Sequence, residues 1–210
     1  MIATKSGVQG RKPKTKVPEY LIYEIMDGKP IHYKGYLEVL AGTKTFSEIM
    51  GSSALQSFVV AYVQRLLFKE LSEDDFIILS SESGLHLDKR NNLAGDILIF
   101  DNATLPIEAI DEFYAQVPPK VVIEVDITAD PTDVTSDSYI FQKTEKLLKF
   151  GVEKVIWITT QAKKVTVATP NDDRDGGPVA GNSWHKDVDI LNGISFNIGR
   201  YLTQKGSPFA

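Results

Sequence analysis

The sequence has no cysteine, only three histidines and no long apolar run, and each of these shortages excludes a class of protein. Without cysteine there are no disulfide bonds, thiolate metal sites or cysteine nucleophiles. No segment approaches the roughly 18 apolar residues that span a membrane, and the first residues lack the apolar stretch of a signal peptide. We therefore expect a cytoplasmic protein with no membrane-spanning segment.

The common cofactor and hydrolase motifs are also missing. There is no glycine-rich phosphate loop of the Walker or dinucleotide type, no HExxH and no GxSxG. The acidic loop NDDRDGG at 171–177 suggests calcium, but it lacks the regular alternation and the final glutamate of an EF-hand loop. The chemistry must therefore come from side chains that are dispersed along the chain.

Charge is distributed unevenly between the N-terminus and the rest of the protein. Residues 1–18 carry five basic and no acidic side chains, so the remainder must carry about −10 to give the net charge of −5. We expect a flexible basic arm over 1–18 and a single domain over 19–210. The acidic charge of the domain argues against sequence-independent binding of nucleic acid, which works by neutralising phosphates. Any binding of nucleic acid should therefore be local, bridged by metal or helped by the arm.

Hydrophobic periodicity predicts a mixed fold. Apolar residues at three- and four-residue spacings predict helices within 47–71 and 137–151, with Ser52 or Ser53 as a cap of the first and Gly151 as the stop of the second. Apolar and β-branched runs predict strands at 76–80, 83–88, 95–100 and 120–127. Hairpins are expected around the Asp27–Gly28 turn and over 152–169. The fold class is therefore α/β or α+β, a mixed central sheet flanked by helices with hairpin additions at both ends.

Two carboxylates stand inside otherwise apolar strands. They are Asp96 in GDILIF and Glu124 in VVIEVDI. Alternation places Glu124 on one face of its strand together with Val122 and Asp126. A carboxylate among such neighbours is costly unless it is paired, hydrogen-bonded or bound to metal. Two converging acids therefore suggest a cation.

The second helix places a lysine on its apolar side. At 100° per residue, Lys143 falls between Leu147 and Phe150, whereas Lys146 lies on the flank. Lys143 could thus reach Glu124 on the preceding strand. A divalent ion held by two carboxylates beside a lysine suits phosphodiester hydrolysis. The pattern alone also allows a purely structural ion pair between helix and sheet, with the acid at position 96 in a turn at the strand edge.

The same residues resemble a known family. The opening YEIMDGKPI at 23–31, the first core helix, Asp96, Glu124 and the segment KTEKLLKFGVEKVIWI at 143–158 are similar in order and spacing to the Uma-type restriction endonuclease family of the PD-(D/E)XK nuclease superfamily. The resemblance covers roughly residues 19–202. It implies a restriction-endonuclease-like fold, DNA as the partner, Mg²⁺ or Mn²⁺ as the cofactor, and a possible homodimer.

The resemblance also assigns roles to individual residues. Asp96 and Glu124 would bind the metal, and a lysine would assist the attacking water. The simple motif would place that lysine at position 126, which is Asp126 here, so Lys143 takes the role by analogy with branches whose lysine has moved to the following helix. The possible accessory residues are Glu82, His86, Asp126, Lys146 and Glu48.

The leading hypothesis is therefore a Mg²⁺-dependent endonuclease acting on DNA. Two alternatives stay open on the sequence. One is a nuclease-fold protein that has lost catalysis and serves as a binding or assembly module. The other is a metal-dependent hydrolase of a different phosphate ester.

Overall fold

A computed structural model describes residues 16–130, 132–170 and 182–210. Ten strands lie in this part of the chain: β1 Ile22–Met26, β2 Lys29–His32, β3 Phe76–Asp88, β4 Asn91–Asp101, β5 Val121–Val125, β6 Lys154–Thr159, β7 Lys164–Ala168, β8 Asn182–Ser183, β9 Val188–Leu191 and β10 Ile194–Phe196. Four α-helices accompany them: α1 Tyr36–Leu40, α2 Ala54–Glu70, α3 Ser136–Phe150 and α4 Ile198–Gln204. The predicted mixed architecture is confirmed.

Eight strands form one mixed sheet. Its order is β2-β1-β4-β5-β6-β7-β8, and β3 also pairs with β4. Only β5 and β6 are parallel to each other, with α3 as the crossover between them, and the other pairs are antiparallel. Strands β9 and β10 form a separate hairpin. The centre of the sheet is thus β4, β5 and β6.

The two long helices begin and end where the sequence predicts. Ser53 caps α2 by accepting a hydrogen bond from the Gln56 N–H at 3.1 Å. Thr135 caps α3 in the same way. Gly151 ends α3 with a φ of 117°, a left-handed conformation that suits glycine. Cap and stop chemistry therefore fix the phase of each helix against the sheet.

Each face of the sheet buries its own core, one against α3 and the other against α2 together with α4 and the β9–β10 hairpin. On the α2 face, Val59, Val63 and Leu67 pack against alternate residues of β4, β5 and β6. On the α3 face, Tyr139 and Leu147 pack against the intervening residues of the same strands. The α3 face differs from the α2 face in that Glu24, Glu124 and Lys143 are buried there.

The short helices α1 and α4 are not predicted by periodicity. Helix α4 has seven residues and is capped by Asn197, whose side chain accepts a hydrogen bond from the Arg200 N–H at 2.8 Å. The β9–β10 hairpin leads directly into this helix. Residues 1–15 of the predicted basic arm and the acidic loop 171–177 lie outside the described residues. No helix in the described part is long and apolar enough to cross a membrane.

Candidate functional site

The predicted acids and lysine converge on the α3 face of the sheet. On β4, Leu98 and Phe100 face α3, and Asp96 shares their alternation. On β5, Val122 faces α3 and Glu124 follows it two residues later. Lys143 lies on the sheet-facing side of α3 and is completely buried. The strand alternation and helix phase therefore bring the three side chains to one place.

Lys143 and Glu124 form a buried ion pair. The Lys143 Nζ lies 2.9 Å from Glu124 Oε1, and the two side chains are 0% and 4% exposed. Glu124 Oε1 is thus enclosed against the Lys143 ammonium. Burial raises the pKa of Glu124 to about 8, against the opposing effect of the Lys143 charge. Glu124 is therefore a buried carboxyl group that holds its proton more tightly than an ordinary glutamate does.

Asp96 is attached to the same strand end. Its Oδ2 accepts a 2.6 Å hydrogen bond from the N–H of Val125, the residue that follows Glu124. Burial raises the pKa of Asp96, while this N–H and the Lys143 charge lower it. The Val125 carbonyl oxygen accepts a 2.7 Å hydrogen bond from Gln56 Nε2 at the start of α2. The backbone of Val125 therefore connects Asp96 on β4 with Gln56 on α2, next to Glu124.

Glu24 is the functional candidate that sequence reasoning missed. It lies on β1 and is 3% exposed. Its Oε1 accepts hydrogen bonds from Lys143 Nζ at 2.7 Å and from the Ala94 N–H at 2.8 Å. Its Oε2 accepts a 2.6 Å hydrogen bond from the Tyr139 hydroxyl. The signal was the same as for Asp96 and Glu124, a carboxylate inside an apolar strand, but β1 belongs to a predicted edge hairpin whose acids ordinarily face water.

Aromatic rings surround the ammonium of Lys143. Its Nζ lies 5.5 Å from the Tyr139 ring centroid, 5.7 Å from that of Trp157 and 5.9 Å from that of Tyr23. Such cation–π contacts stabilise a desolvated ammonium. Burial lowers the pKa of Lys143, but the carboxylates of Glu124 and Glu24 outweigh it and hold the pKa well above its usual value. Lys143 is therefore a fixed positive charge at neutral pH.

The charges of the cluster fit a bound cation. Two carboxylates, those of Glu24 and Glu124, contact the single ammonium of Lys143, and Asp96 interacts with the same charge without contacting it. Hard oxygen ligands of this kind suit Mg²⁺, which usually keeps several waters. No group of three or more Asp, Glu, His or Cys side chains in the described ranges is arranged to hold a metal ion. Among the described residues, the acids that could contribute to such a site are therefore limited to Asp96 and Glu124.

A bulge in β3 turns Glu82 toward the cluster. Ser81 and Glu82 have φ values of 68° and 58°, and the β3–β4 register shifts between Ser80 and Ser83, opposite Asp96. Glu82 is half-buried. Burial raises its pKa, and the Asp96 charge adds to this effect. Glu82 is therefore the accessory candidate that the structure places beside Asp96.

The structure does not bring His86 or Asp126 into the cluster. His86 pairs with Asn92, four residues before Asp96 on β4, which places it about 13 Å away along the strand. Its Nδ1 lies 2.6 Å from Asn92 Oδ1. Asp126 has a φ of 63°, so the strand alternation that predicted it beside Glu124 has ended. Its carboxylate instead accepts two 2.7 Å hydrogen bonds from the N–H and hydroxyl of Thr160.

Lys146 and Glu48 have partners of their own. Lys146 Nζ lies 2.6 Å from Asp27 Oδ1 at the surface, where the two side chains are 18% and 49% exposed. Glu48 Oε2 accepts 2.7 Å hydrogen bonds from the N–H and the hydroxyl of Thr45. The sequence TFSE at 45–48 carries this capping pattern, which explains the acid without a catalytic role. Neither residue contacts the buried cluster.

A cleft of about 730 Å³ opens at the carboxyl end of β5. Its lining includes Lys34, Glu48, Gln56 and Asp126. Asp126 is two residues from Glu124, so the cleft begins next to the cluster. Glu124 and Lys143 are not among its lining residues.

Comparison with known proteins identifies a similar fold. No family model matches the sequence, and no curated protein matches it. One crystal structure, described as that of "a putative nuclease belonging to DUF820" from Anabaena variabilis, has a TM-score of 0.58 and 16% sequence identity to this chain. The match covers 86% of this chain and 89% of that one. At this identity the likeness shows the fold alone, and the fold of this chain is nuclease-like.

Proposed function

We propose that this protein is a Mg²⁺- or Mn²⁺-dependent endonuclease of the PD-(D/E)XK type that hydrolyses phosphodiester bonds in DNA. The observation that carries the proposal is the cluster itself. Asp96, Glu124 and Lys143, which lie on three separate elements, meet on one face of a nuclease-like sheet. An ordinary ion pair between helix and sheet would not need Asp96 beside it.

The carboxylates and the lysine have different roles in the proposal. Asp96 on β4 and Glu124 on β5 hold the metal, because the hydrogen bond from the Val125 N–H brings the carboxylate of Asp96 to the residue that follows Glu124. The bound metal would stabilise charge on the phosphate and lower the pKa of an attacking water. Lys143 keeps its proton because its pKa is raised. It therefore acts as a hydrogen-bond donor and a positive charge, and not as the base.

Binding of the substrate should depend on the metal and on salt. The chain outside the basic arm carries about −10, which repels a polyanion. A divalent ion at the cluster and the basic arm offset this repulsion locally. Affinity for DNA should fall as salt rises, as expected for contacts to phosphates, and should increase when divalent metal is added.

The test is cleavage of circular and linear DNA by the purified full chain with Mg²⁺ or Mn²⁺. We expect cutting by the unchanged protein and none by Glu124→Ala or Glu124→Gln. Asp27→Asn serves as the control, because Asp27 is a surface acid that contacts α3 through Lys146 alone. Equal cutting by the Glu124 variants would refute the assignment. A parallel panel of nucleotide esters distinguishes DNA from other phosphate esters.

A second candidate function is a nuclease-fold binding module without catalysis. The burial of Glu124 and Lys143 favours it, because neither lines the cleft beside them. Calorimetry separates the two candidates. A protein that binds neither Mg²⁺ nor Mn²⁺ at millimolar concentration is the module. The cytoplasmic location and the homodimer stay predictions of the sequence.

A further inference from the structure

Five charged side chains line the cleft at the carboxyl end of β5: Lys34, Glu38, Lys44, Glu48 and Asp126. Glu38 and Lys44 pair with each other at 3.5 Å. Glu48 and Asp126 each accept two hydrogen bonds from a threonine. Lys34 differs from the other four, because it is exposed and its ammonium has no ion pair or hydrogen bond within the described residues. The cleft therefore contains one cation that the fold itself does not use.

The main chain fixes the position of Lys34 relative to β5. The Lys34 N–H donates a 2.7 Å hydrogen bond to the Thr128 carbonyl oxygen, and the Gly35 N–H donates a 2.9 Å hydrogen bond to Asp130 Oδ2. The preceding residue also forms a β-bridge with this loop. Three consecutive residues are thus attached to the loop that directly follows β5, the strand of Glu124. The backbone of Lys34 is therefore held in place, and its side chain alone is left to adjust to a ligand.

The lining of the cleft is connected to the buried cluster by hydrogen bonds. Gln56 lines the cleft, and its Nε2 donates to the Val125 carbonyl oxygen at 2.7 Å. The Val125 N–H in turn donates to Asp96 Oδ2 at 2.6 Å. The backbone of one residue therefore separates the lining of the cleft from Asp96.

An unpaired ammonium in a cleft is complementary to an anion. The chain outside the basic arm carries about −10, so most of its surface repels a polyanion. Lys34 opposes this repulsion at the cleft. The N-terminal ends of α2 and α3 also border the cleft, at Ser53 and Ser136, and helix ends of this kind favour negative charge. The cleft is thus a place where a phosphate can be held on an otherwise acidic domain.

We propose that Lys34 binds a phosphate group of the DNA backbone in this cleft and so positions the strand beside Asp96 and Glu124. The inference rests on the proposed function, since it assigns a residue that holds the substrate of the same site. The contribution of Lys34 is to binding and not to the chemical step.

A lysine that only increases solubility would behave differently from one that contacts a phosphate. Each lysine that neutralises a phosphate releases about one counterion, so its loss changes the salt dependence of the affinity for DNA. Lys89 in the turn between β3 and β4 provides a matched control. It is also exposed and without an ion pair among the residues that the structure describes, but it does not line the cleft.

The experiment measures binding of the full chain to a short labelled DNA duplex by fluorescence anisotropy, in Mg²⁺ and over a range of salt concentrations. Phosphorothioate linkages in the duplex keep its charge and slow its hydrolysis. The unchanged protein is compared with Lys34→Ala, Lys34→Arg and Lys89→Ala. Each substitution replaces an exposed side chain and keeps the main-chain N–H, so the fold should not change, and circular dichroism checks this.

We expect Lys34→Ala to weaken binding at low salt for every duplex sequence and to reduce the slope of log affinity against log salt concentration by about one. Lys34→Arg should keep the slope, because the guanidinium group carries the same charge. Lys89→Ala should bind as the unchanged protein does. An unchanged slope in Lys34→Ala, or an equal loss in Lys89→Ala, would overturn the inference.

Cleavage kinetics on an ordinary DNA duplex separate binding from chemistry. Lys34→Ala should raise KM and leave kcat unchanged, and a fall in kcat without a change in KM would contradict the assigned role. If the unchanged protein binds no DNA, the proposed function and this inference both fail. If it binds DNA without cutting it, the nuclease function fails and the salt slope still tests Lys34. If it binds and cuts, and Lys34→Ala does both equally well, only the inference fails.

Discussion

Two lysines of α3, one turn apart, form ion pairs with the same β-hairpin in opposite surroundings. Lys143 pairs with Glu24 on β1 at 2.7 Å, and both side chains are 0% exposed. Lys146 pairs with Asp27 in the turn between β1 and β2 at 2.6 Å, but at the surface. The two nitrogen–oxygen distances are nearly equal, so distance does not determine how much each ion pair contributes to the stability of the fold.

Solvent decides it. At the surface, water already stabilises Lys146 and Asp27, and their attraction adds little to the stability of the fold. In the buried cluster, each charge has lost its hydration and depends on its protein partners. Glu124 shows the strain of this arrangement, because its pKa is raised to about 8 by burial. The fold keeps a costly group where an apolar residue would pack, which is the pattern expected of a functional site.

The largest difference should appear when the lysines are removed one at a time. Lys143→Ala leaves Glu24 and Glu124 buried without their cation, and we expect it to lower the free energy of unfolding by about 3–5 kcal/mol. Lys146→Ala should lower it by no more than about 1 kcal/mol. Urea unfolding of both variants at pH 7 measures the two values. Similar losses in both would show that burial does not distinguish the pairs.

A second difference should appear in the dependence of stability on pH. The pKa of Glu124 is higher in the folded protein than the ordinary glutamate value of about 4.5, so the folded state binds the extra proton. Its contribution to stability is present below about pH 4.5 and is lost as the pH rises through about 8. Asp96 and Glu82 shift in the same direction. The free energy of unfolding should therefore fall between pH 5 and pH 9.

Glu124→Gln tests this pH dependence, because an amide does not titrate. The variant should lose less stability than the unchanged protein over the same range, as measured by urea unfolding at intervals of one pH unit. Asp27→Asn is the control with the opposite sign. The hydrogen bond from Lys146 lowers the pKa of Asp27, so its contribution is present above about pH 4 and is lost only below that. A Glu124→Gln profile parallel to that of the unchanged protein would contradict the raised pKa.

The sequence predicts the centre of the site because local rules determine it. Strand alternation sets the face of Glu124, and the cap at Thr135 and the stop at Gly151 set the phase that buries Lys143. These rules act within one element and need no knowledge of what packs on it. For Asp96, Glu124 and Lys143 to lie close together, it is then enough that β4 and β5 are neighbouring strands and that α3 packs on them.

The sequence fails where neighbouring elements decide the outcome. Glu24 lies in a hairpin that reads as an edge, and it is buried because α3 packs over β1. Asp126 has a left-handed backbone conformation, which interrupts the strand alternation, and no sequence pattern predicts it. No sequence pattern predicts the β3 bulge that directs Glu82 toward Asp96 either. Glu48 is different, because its capping pattern with Thr45 was present in the sequence.

The smallest effect should be that of salt on the exposed pair. At low ionic strength, Asp27→Asn should lower the melting temperature slightly, because it removes the attraction to Lys146. In about 1 M NaCl the screening length shortens to about 3 Å, so this difference should vanish. The destabilisation by Lys143→Ala should persist at the same salt concentration, because ions do not enter the buried cluster. Thermal unfolding at both salt concentrations measures this, and a salt-dependent loss for Lys143→Ala would mean that solvent reaches the cluster.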